Sequence, residues 1–376
     1  DPAQCPGVAA VLIVACVSGH GYGHGSRVSS VLAALHALEP DWRLVLSTAL
    51  PRPFLELALG AVPFEHRPCR WDVGVIQADA LGADGPATLA ALEQLEADLP
   101  DQLAREAAWI QSQNEPVLLL GDIPPAAARL AQQLEAPLVW MGNFGWDAIY
   151  RPMGGAFEGW ADRALAAYRQ GTGLIRCPLA LPMPWGLPTT AVGLTAGVAR
   201  HDPQRLRQRL GLQLPRQRTV MVAFGGLGLA LEPAPFTRWS DWSFLVSDPQ
   251  LVSAVPHATL IPADLRPLEL LPLCSRVITK PGYSTFCEAL AAGVGIHVVQ
   301  REGFAEAPVL EADLQRHGWH RLLRREQLEA GDWQLDQPLL SPTGQPLPAD
   351  GAQRAAACLR RSGQAAMARW HGQQGS

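Results

Sequence analysis

The chain has 376 residues, 48% hydrophobic and 17% charged, with 30 basic and 35 acidic side chains and a formal net charge of −5. That length favours two domains, and the absence of a basic block argues against a nucleic-acid partner. The longest early apolar run, residues 8–17, is about half of what a membrane helix needs. It has no basic lead-in and no small-residue cleavage pattern, so it does not read as a signal peptide, and membrane association is not expected. The sequence begins at Asp1 with no Met, so a few residues are expected ahead of it.

The seven cysteines form no CxxC pair, which predicts buried thiols in a reducing, cytoplasmic compartment and neither a disulfide framework nor a zinc site. Lys280 is the one lysine among 30 cations. In an Arg-rich chain, a surviving Lys suggests a place where a compact ammonium fits and a planar guanidinium does not.

In chain order, residues 11–17 form a continuous β-branched run, the mark of a buried parallel strand. A glycine-rich turn follows, then helical spacing over 28–38 and a strand over 42–47. A helix is predicted over 89–111, strands over 117–120 and 138–141, and a helix over 126–134. Residues 177–188 carry four prolines and predict a hinge. The pattern then restarts: Asp202 as N-cap and Pro203 at N1 open a helix over 202–210. Strands are predicted over 219–224, 244–246, 258–261, 277–279 and 296–299, with helices over 284–292, 305–317 and 352–361. Strands alternating with helices at this pitch predict an α/β fold of parallel sheets covered on both faces. The expected organisation is an N-terminal Rossmann-like domain over 1–184, a second Rossmann-like domain over 185–350, and a terminal helix over 351–376 that crosses back.

Three glycine turns carry the candidate chemistry. The first reads Ser18-Gly19-His20-Gly21-Tyr22-Gly23-His24-Gly25-Ser26-Arg27. Glycines let backbone approach a ligand, and a helix N-terminus offers free N–H groups. A histidine there can take a proton from a hydroxyl, although both His20 and His24 could instead serve as local caps. The second reads Thr279-Lys280-Pro281-Gly282-Tyr283-Ser284-Thr285, with Glu288 one turn further on. Free N–H groups, Lys280 and a hydroxyl suit a diphosphate, with Ser284 or Thr285 as the helix cap. Glu288 could hold ribose hydroxyls or act as a capping-box partner. The third turn, Phe224-Gly225-Gly226-Leu227-Gly228, is either a site of close backbone approach or a structural turn. In the first half, Asn143, Trp146 and Asp147 follow a strand where α/β proteins place ligands, and suit a sugar ring or a local core. Asp79 and Asp122 occupy similar loop positions with weaker signals.

At these residues the chain resembles GT-B glycosyltransferases, most closely the N-terminal glycosyltransferase-like domain of plant L-arabinokinase. The likeness is carried by Gly19 to His24 with Arg27, by Val73 to Ala80, by Asn143 to Tyr150, and by Lys280 to Leu290 with Arg301 to Pro308. No Gly/Ser-rich ATP loop of a sugar kinase is visible, so kinase activity is not carried over. A more distant likeness is to the GlcNAc transferase that completes the lipid-linked peptidoglycan precursor. The resemblance implies two Rossmann-like domains facing a central cleft. His24 is implied as the base, with His20 the alternative, and Gly21, Gly23, Arg27, Asp79, Asp122, Asn143, Trp146 and Asp147 stand on the acceptor side. Glu288 is implied for ribose, Ile261 for the base, and Gly225 and Gly226 for the diphosphate, beside Lys280, Gly282, Tyr283, Ser284 and Thr285. Where the family often places Asp-Gln or Gln-Gln on the donor sugar, this chain has Phe304-Ala305-Glu306-Ala307-Pro308, with Glu306 as the substitute. The expected activity is inverting transfer of a sugar from a nucleoside-diphosphate sugar to a hydroxyl acceptor, with no metal or other cofactor. The rival readings are a nucleotide-sugar 2-epimerase and a non-catalytic nucleotide-sugar or sugar-binding protein.

Overall fold

The structure is a computed structural model that describes residues 10–78, 82–224, 231–301 and 303–375. It is an α/β protein with two all-parallel sheets. Its contacts divide the chain into two compact units. The first takes in residues up to Ile76, Asp84–Val192 and the chain from Ala352 on; the second takes in Gln77–Ala83 and Gly193–Gly351.

The first unit holds seven strands: β1 (Leu12–Val17), β2 (Arg43–Ser47), β3 (Glu65–Arg67), β4 (Val117–Asp122), β5 (Leu138–Gly142), β6 (Gly173–Arg176) and β7 (Thr189–Ala191). Their order across the sheet is β3-β2-β1-β4-β5-β6-β7. The run Leu12–Val17 is buried at every position because β1 has a strand on each side and is covered on both faces. Register pairs Val14 with Val45 on one side and Leu119 on the other. From β1 the chain winds outward to β3, then returns through the Gly85–Ser112 helix to β4. The winding direction therefore reverses between β1 and β4, and the crevice outside the carboxyl ends of two such strands is where open α/β sheets bind ligands.

The proline-rich stretch 177–188 is not where the units divide. It connects β6 to β7, and β7 extends the first sheet, so the division falls after Val192. The chain from Ala352 on groups with the first unit: Arg360 Nε donates to Glu39 Oε1 at 2.7 Å, and Gly363 lies against the Trp42 ring, where a Cβ would overlap it.

The second unit holds β8 (Thr219–Ala223), β9 (Ser243–Val246), β10 (Ala258–Leu260), β11 (Arg276–Thr279), β12 (Gly295–Val299) and β13 (His320–Leu323), in the order β10-β9-β8-β11-β12-β13. Winding reverses here between β8 and β11. The helix Pro203–Arg209 starts as its sequence predicts, with Asp202 accepting from the Gln204 N–H. The core under β8 and β9 is aromatic: Phe236 meets Phe244 and Trp333 edge-on at 5.0 and 4.7 Å. No helix among the described residues is long and apolar enough to cross a membrane. Six cysteines are described, none of them in a disulfide and five of them buried.

Gly121 shows how tightly β4 and β5 pack. A Cβ there would overlap the six-membered ring of Trp140, which is fully buried. Gly121→Ala is expected to lower unfolding stability by about 1–3 kcal/mol, read from the denaturant midpoint, because a packed indole must move.

Candidate functional site

The site in the first unit begins at the junction of β1 and β4. The Ser18 N–H donates to the Asp122 carbonyl at 2.8 Å, and the Thr48 hydroxyl donates to the Val17 carbonyl at 2.9 Å. The glycine turn leaves β1 through Gly21, whose φ of +77° favours glycine. The helix Gly23–Leu38 then starts five residues earlier than its apolar spacing indicates, with Tyr22 as N-cap. His24 and Arg27 therefore lie on the first turns of a helix and not in a loop. Gly25 packs so closely against Leu50 and Phe54 that a Cβ would meet Phe54 at 2.6 Å.

This placement turns His24 and Arg27 toward the end of β4. His24 Nδ1 lies 2.8 Å from Asp122 Oδ1. Arg27 clasps the same carboxylate with two nitrogens, Nε to Oδ2 at 2.8 Å and Nη2 to Oδ1 at 2.6 Å. Its Nη1 donates to Asn143 Oδ1 at 2.9 Å. Asp122 is wholly buried and Arg27 is 3% exposed. Burial alone would raise the Asp122 carboxyl; Arg27, joined by His24, outweighs it and holds the group below the usual carboxylate range. An ionised carboxylate can only accept, so the proton between them sits on His24 Nδ1. The other ring nitrogen, Nε2, is left with its lone pair, which is what a base requires.

Around this pair lies an aromatic wall. Phe144 meets the His24 ring at 5.8 Å, and Trp146 meets the His20 ring edge-on at 5.3 Å. The Trp146 indole donates to Asp72 Oδ2 at 2.9 Å, and the Tyr150 hydroxyl donates to the Gly74 carbonyl at 2.8 Å. Tyr168 stacks on Trp185 at 4.0 Å and ties the wall down, donating to the Ile123 carbonyl and accepting from the Trp146 N–H.

The expected acceptor-side residues thus divide. His20, His24 and Trp146 come together. Arg27 and Asn143 are buried and hold Asp122 in place, so neither presents its polar group to an acceptor. Asp147 is buried too, its Oδ2 facing the Trp185 indole at 3.5 Å. Asp79 lies outside the described residues. Asp72, adjacent to the fully buried Trp71, is a member of this cluster that sequence reasoning passes over. Its one signal is a charge placed inside the apolar run Trp71-Asp72-Val73.

In the second unit, Lys280 follows β11 and Arg301 follows β12, at the carboxyl ends of neighbouring parallel strands. Lys280 is half-buried; burial lowers its pKa, and the like charge of Arg301 lowers it further. An anion would relieve both effects. The helix Tyr283–Ala291 opens with Gly282 as N-cap and no side-chain cap bond. Ser284 and Thr285 are therefore inside the first turn and do not cap it. The Ser284 hydroxyl instead reaches one turn on, to Glu288 Oε1 at 3.5 Å, so Glu288 forms no capping box. Burial pushes the Glu288 carboxyl up to about 7, against the opposing pull of Arg266 and Ser284. Tyr283 turns inward, its hydroxyl 2.8 Å from Thr195 Oγ1, and braces the helix start without facing a ligand. Ile261 follows β10, its N–H fixed to the Val246 carbonyl at 2.8 Å. Glu306, half-buried, is the first residue of the helix Glu306–His317. Gly225 and Gly226 lie outside the described residues. Among the described residues, no group of three or more His, Cys, Asp or Glu is placed to hold a metal ion.

Arg27→Met should therefore destabilise the protein by about 3–5 kcal/mol at neutral pH, because it strands a buried carboxylate. The paired Asp122, with its folded pKa below the unfolded one, contributes stability that is full above about pH 4 and lost as pH falls through the folded value. The gap between variant and parent should accordingly narrow in unfolding curves taken below about pH 4.

No family model matches the chain. Over 324 residues it is 27% identical to L-arabinokinase of Arabidopsis thaliana, covering 84% of this chain and 31% of that protein. The chain thus spans about a third of the curated relative's length. Among solved structures, it is similar to UGT2 of Phytolacca americana complexed with UDP-2-fluoro-glucose and pterostilbene, with TM-score 0.58, 15% identity and 95% of each chain covered. It is also similar to a UDP-glucosyltransferase from Polygonum tinctorium capable of glucosylating indoxyl, with TM-score 0.59, 14% identity, and 96% and 94% of the two chains covered. A UDP-glucose:anthocyanidin 3-O-glucosyltransferase in complex with UDP gives TM-score 0.59 at 12% identity, with 96% and 97% covered. With its two parallel sheets, the chain has the α/β architecture of GT-B UDP-glycosyltransferases, and its sequence resembles L-arabinokinase.

Proposed function

We propose that this chain is a glycosyltransferase that moves a sugar from a nucleoside-diphosphate sugar to an acceptor hydroxyl, with inversion and without a metal. The observation that carries the proposal is the 2.8 Å contact between His24 Nδ1 and Asp122 Oδ1 at the point where the first sheet reverses its winding. It gives a base whose proton-accepting nitrogen is defined and whose orientation is locked from behind.

The step is a single displacement. The acceptor oxygen attacks the anomeric carbon as His24 Nε2 takes its proton. The bond from that carbon to the diphosphate oxygen breaks, and its electron pair leaves with the nucleoside diphosphate. A double displacement would need a carboxylate nucleophile at the site. Asp122 is not available for that, since Arg27 and His24 engage both of its oxygens. A histidine base on the acceptor side suits direct attack by the acceptor oxygen, which inverts the anomeric centre.

The second unit supplies the donor side. Lys280, Arg301 and the uncapped start of the Tyr283–Ala291 helix offer positive charge to a leaving diphosphate, in the role a metal ion plays elsewhere. Ser284 and Thr285 add hydroxyls on the first turn. The Glu288 carboxyl is desolvated and, among the described residues, its side-chain hydrogen bond is a long one to Ser284, so it is poised to accept from the two hydroxyls of a ribose. Ile261 lies by the base, and Glu306 takes the donor-sugar position. The UDP and UDP-2-fluoro-glucose of the similar structures favour a uridine nucleotide for this chain as well.

The test is incubation with UDP-, GDP-, ADP- and dTDP-sugars and a panel of hydroxyl acceptors, followed by product analysis. Transfer gives free nucleoside diphosphate together with a glycosylated acceptor. Epimerisation would give an altered nucleotide sugar, and a sensor would give binding alone. His24→Ala should lower turnover by about 10²–10⁴-fold and leave the nucleotide-induced stabilisation in place. That stabilisation is about 2.7 kcal/mol at 100 times the dissociation constant. Unchanged turnover in His24→Ala would remove His24 as the base.

A further inference from the structure

The proposed step leaves a charge unaccounted for. Asp122 is the obvious counter-ion for a protonated His24, but Arg27 already grips it through two bonds of 2.8 and 2.6 Å. Arg27 and Asp122 cancel. When His24 takes the acceptor's proton, this buried trio carries a net charge of plus one. An uncompensated buried charge is costly, and its cost would be felt in the transition state.

A second carboxylate stands beside it. Asp72 comes from the extended segment after β3 and is 8% exposed. Trp146 joins the two groups: its indole donates to Asp72 Oδ2 at 2.9 Å, and its ring packs against His24 with centroids 6.5 Å apart. The other oxygen, Oδ1, is buried and completes no hydrogen bond. A buried carboxylate oxygen left without a partner is rare enough to require a reason. Here it lies in the one cluster where a positive charge must appear and vanish in each turnover. Burial raises the Asp72 carboxyl above its ordinary value; the Ser18 hydroxyl and the Gly19 N–H, near it without completing a hydrogen bond to Oδ1, pull the other way together with His24 and the Trp146 indole.

We propose that Asp72 is a positioning residue that acts through His24, supplying the counter-charge of the imidazolium formed when His24 deprotonates the acceptor. The inference rests on His24 being the base. The proton moves from the acceptor oxygen to His24 Nε2 and no further; Asp72 gives no atom and takes none. It lowers the energy of the charged state by being an anion held against the same tryptophan. The other titratable groups packed around the pair do not supply this charge. Tyr150 and Tyr168 are kept protonated by burial. His20 is a cation or neutral and packs on Trp146. Asp147 also has a buried Oδ1 without a hydrogen bond, but its Oδ2 faces Trp185 and the charge acting on it is that of Arg151, whereas His24 acts on Asp72.

The test uses the full chain labelled with ¹³C at aspartate and histidine. In the wild-type protein, the Asp72 carboxyl and the His24 ring should share an inflection, so that each curve has two steps, as coupled sites do. In His24→Gln, the Asp72 midpoint should move up, with a loss of carboxylate at a given pH, because the charge that favours its ionised form is gone. D72N keeps an oxygen to accept the Trp146 N–H and removes only the charge. With UDP-glucose and water as acceptor, or any acceptor found by the screen, D72N should lower kcat about 10- to 100-fold with little change in KM and shift the pH–rate profile. An Asp72 curve with a single step, unmoved by His24→Gln, would overturn the inference and leave His24 as base untouched. Full turnover in His24→Gln would instead remove the base itself, whatever the Asp72 curve showed.

Discussion

The His24 cluster of the first unit depends on one buried carboxylate. Asp122 has no solvent to stabilise it, and an unpaired carboxylate there would be neutral. Arg27 makes the charge tolerable, and the charge in turn fixes the tautomer and direction of His24. The rest of the unit serves that arrangement. β1 and β4 must lie side by side so that the helix after one faces the end of the other. Gly121 must be small so that Trp140 can pack behind β4. Asn143 takes the remaining side of Arg27. The result is a histidine oriented by packed, buried groups and not by a loop, the condition a proposed base must meet to be held within a few tenths of an ångström of its working position.

The second unit repeats the logic with the opposite sign. Its sheet also reverses winding beside its first strand, and positive charge collects at the ends of the strands that follow. Lys280 and Arg301 stand at the ends of β11 and β12; burial acts against both charges, and Arg301 acts further against that of Lys280. An anion placed between these two cations would relieve both effects, which is why the proposed diphosphate is assigned here. The single lysine of the chain sits where two cations crowd together, and a compact ammonium fits beside a guanidinium that is stacked on Phe304 at 3.8 Å.

Much of this was legible from residues alone, and the parts that were not share a cause. The apolar run of β1, the Asp202-Pro203 helix start and the alternation of strands and helices follow local rules, and the structure has them. The strands β3, β6, β7 and β13 have no counterpart in the sequence reading. They are three or four residues long, include polar positions such as Glu65 and Thr189, and depend on neighbours in the sheet for their pairing. The helix start at Gly23 was hidden because its first turns are rich in glycine, and packing against Leu50 and Phe54 replaces the missing propensity. The His24–Asp122 pair spans 98 residues, and Asp72 meets Trp146 across 74; no spacing rule connects such partners. Both histidines drew attention through their glycine turn, yet nothing local could say which has a carboxylate behind it. Tyr283 and Asp147 looked like ligand contacts because of where they fall in the chain, and they turn out to face inward, toward Thr195 and Trp185.

The central physical claim is that His24 carries its proton on Nδ1, toward Asp122, and keeps Nε2 open. The ¹⁵N chemical shifts of the His24 ring, read through long-range couplings to its carbon-bound protons at a pH where the ring is neutral, report this directly. The account predicts a protonated-type shift at Nδ1 and a bare, pyridine-type shift at Nε2, with the pattern weakened or reversed in Asp122→Asn. A wild-type ring protonated at Nε2 would contradict it, because the nitrogen assigned to take the acceptor's proton would already be occupied.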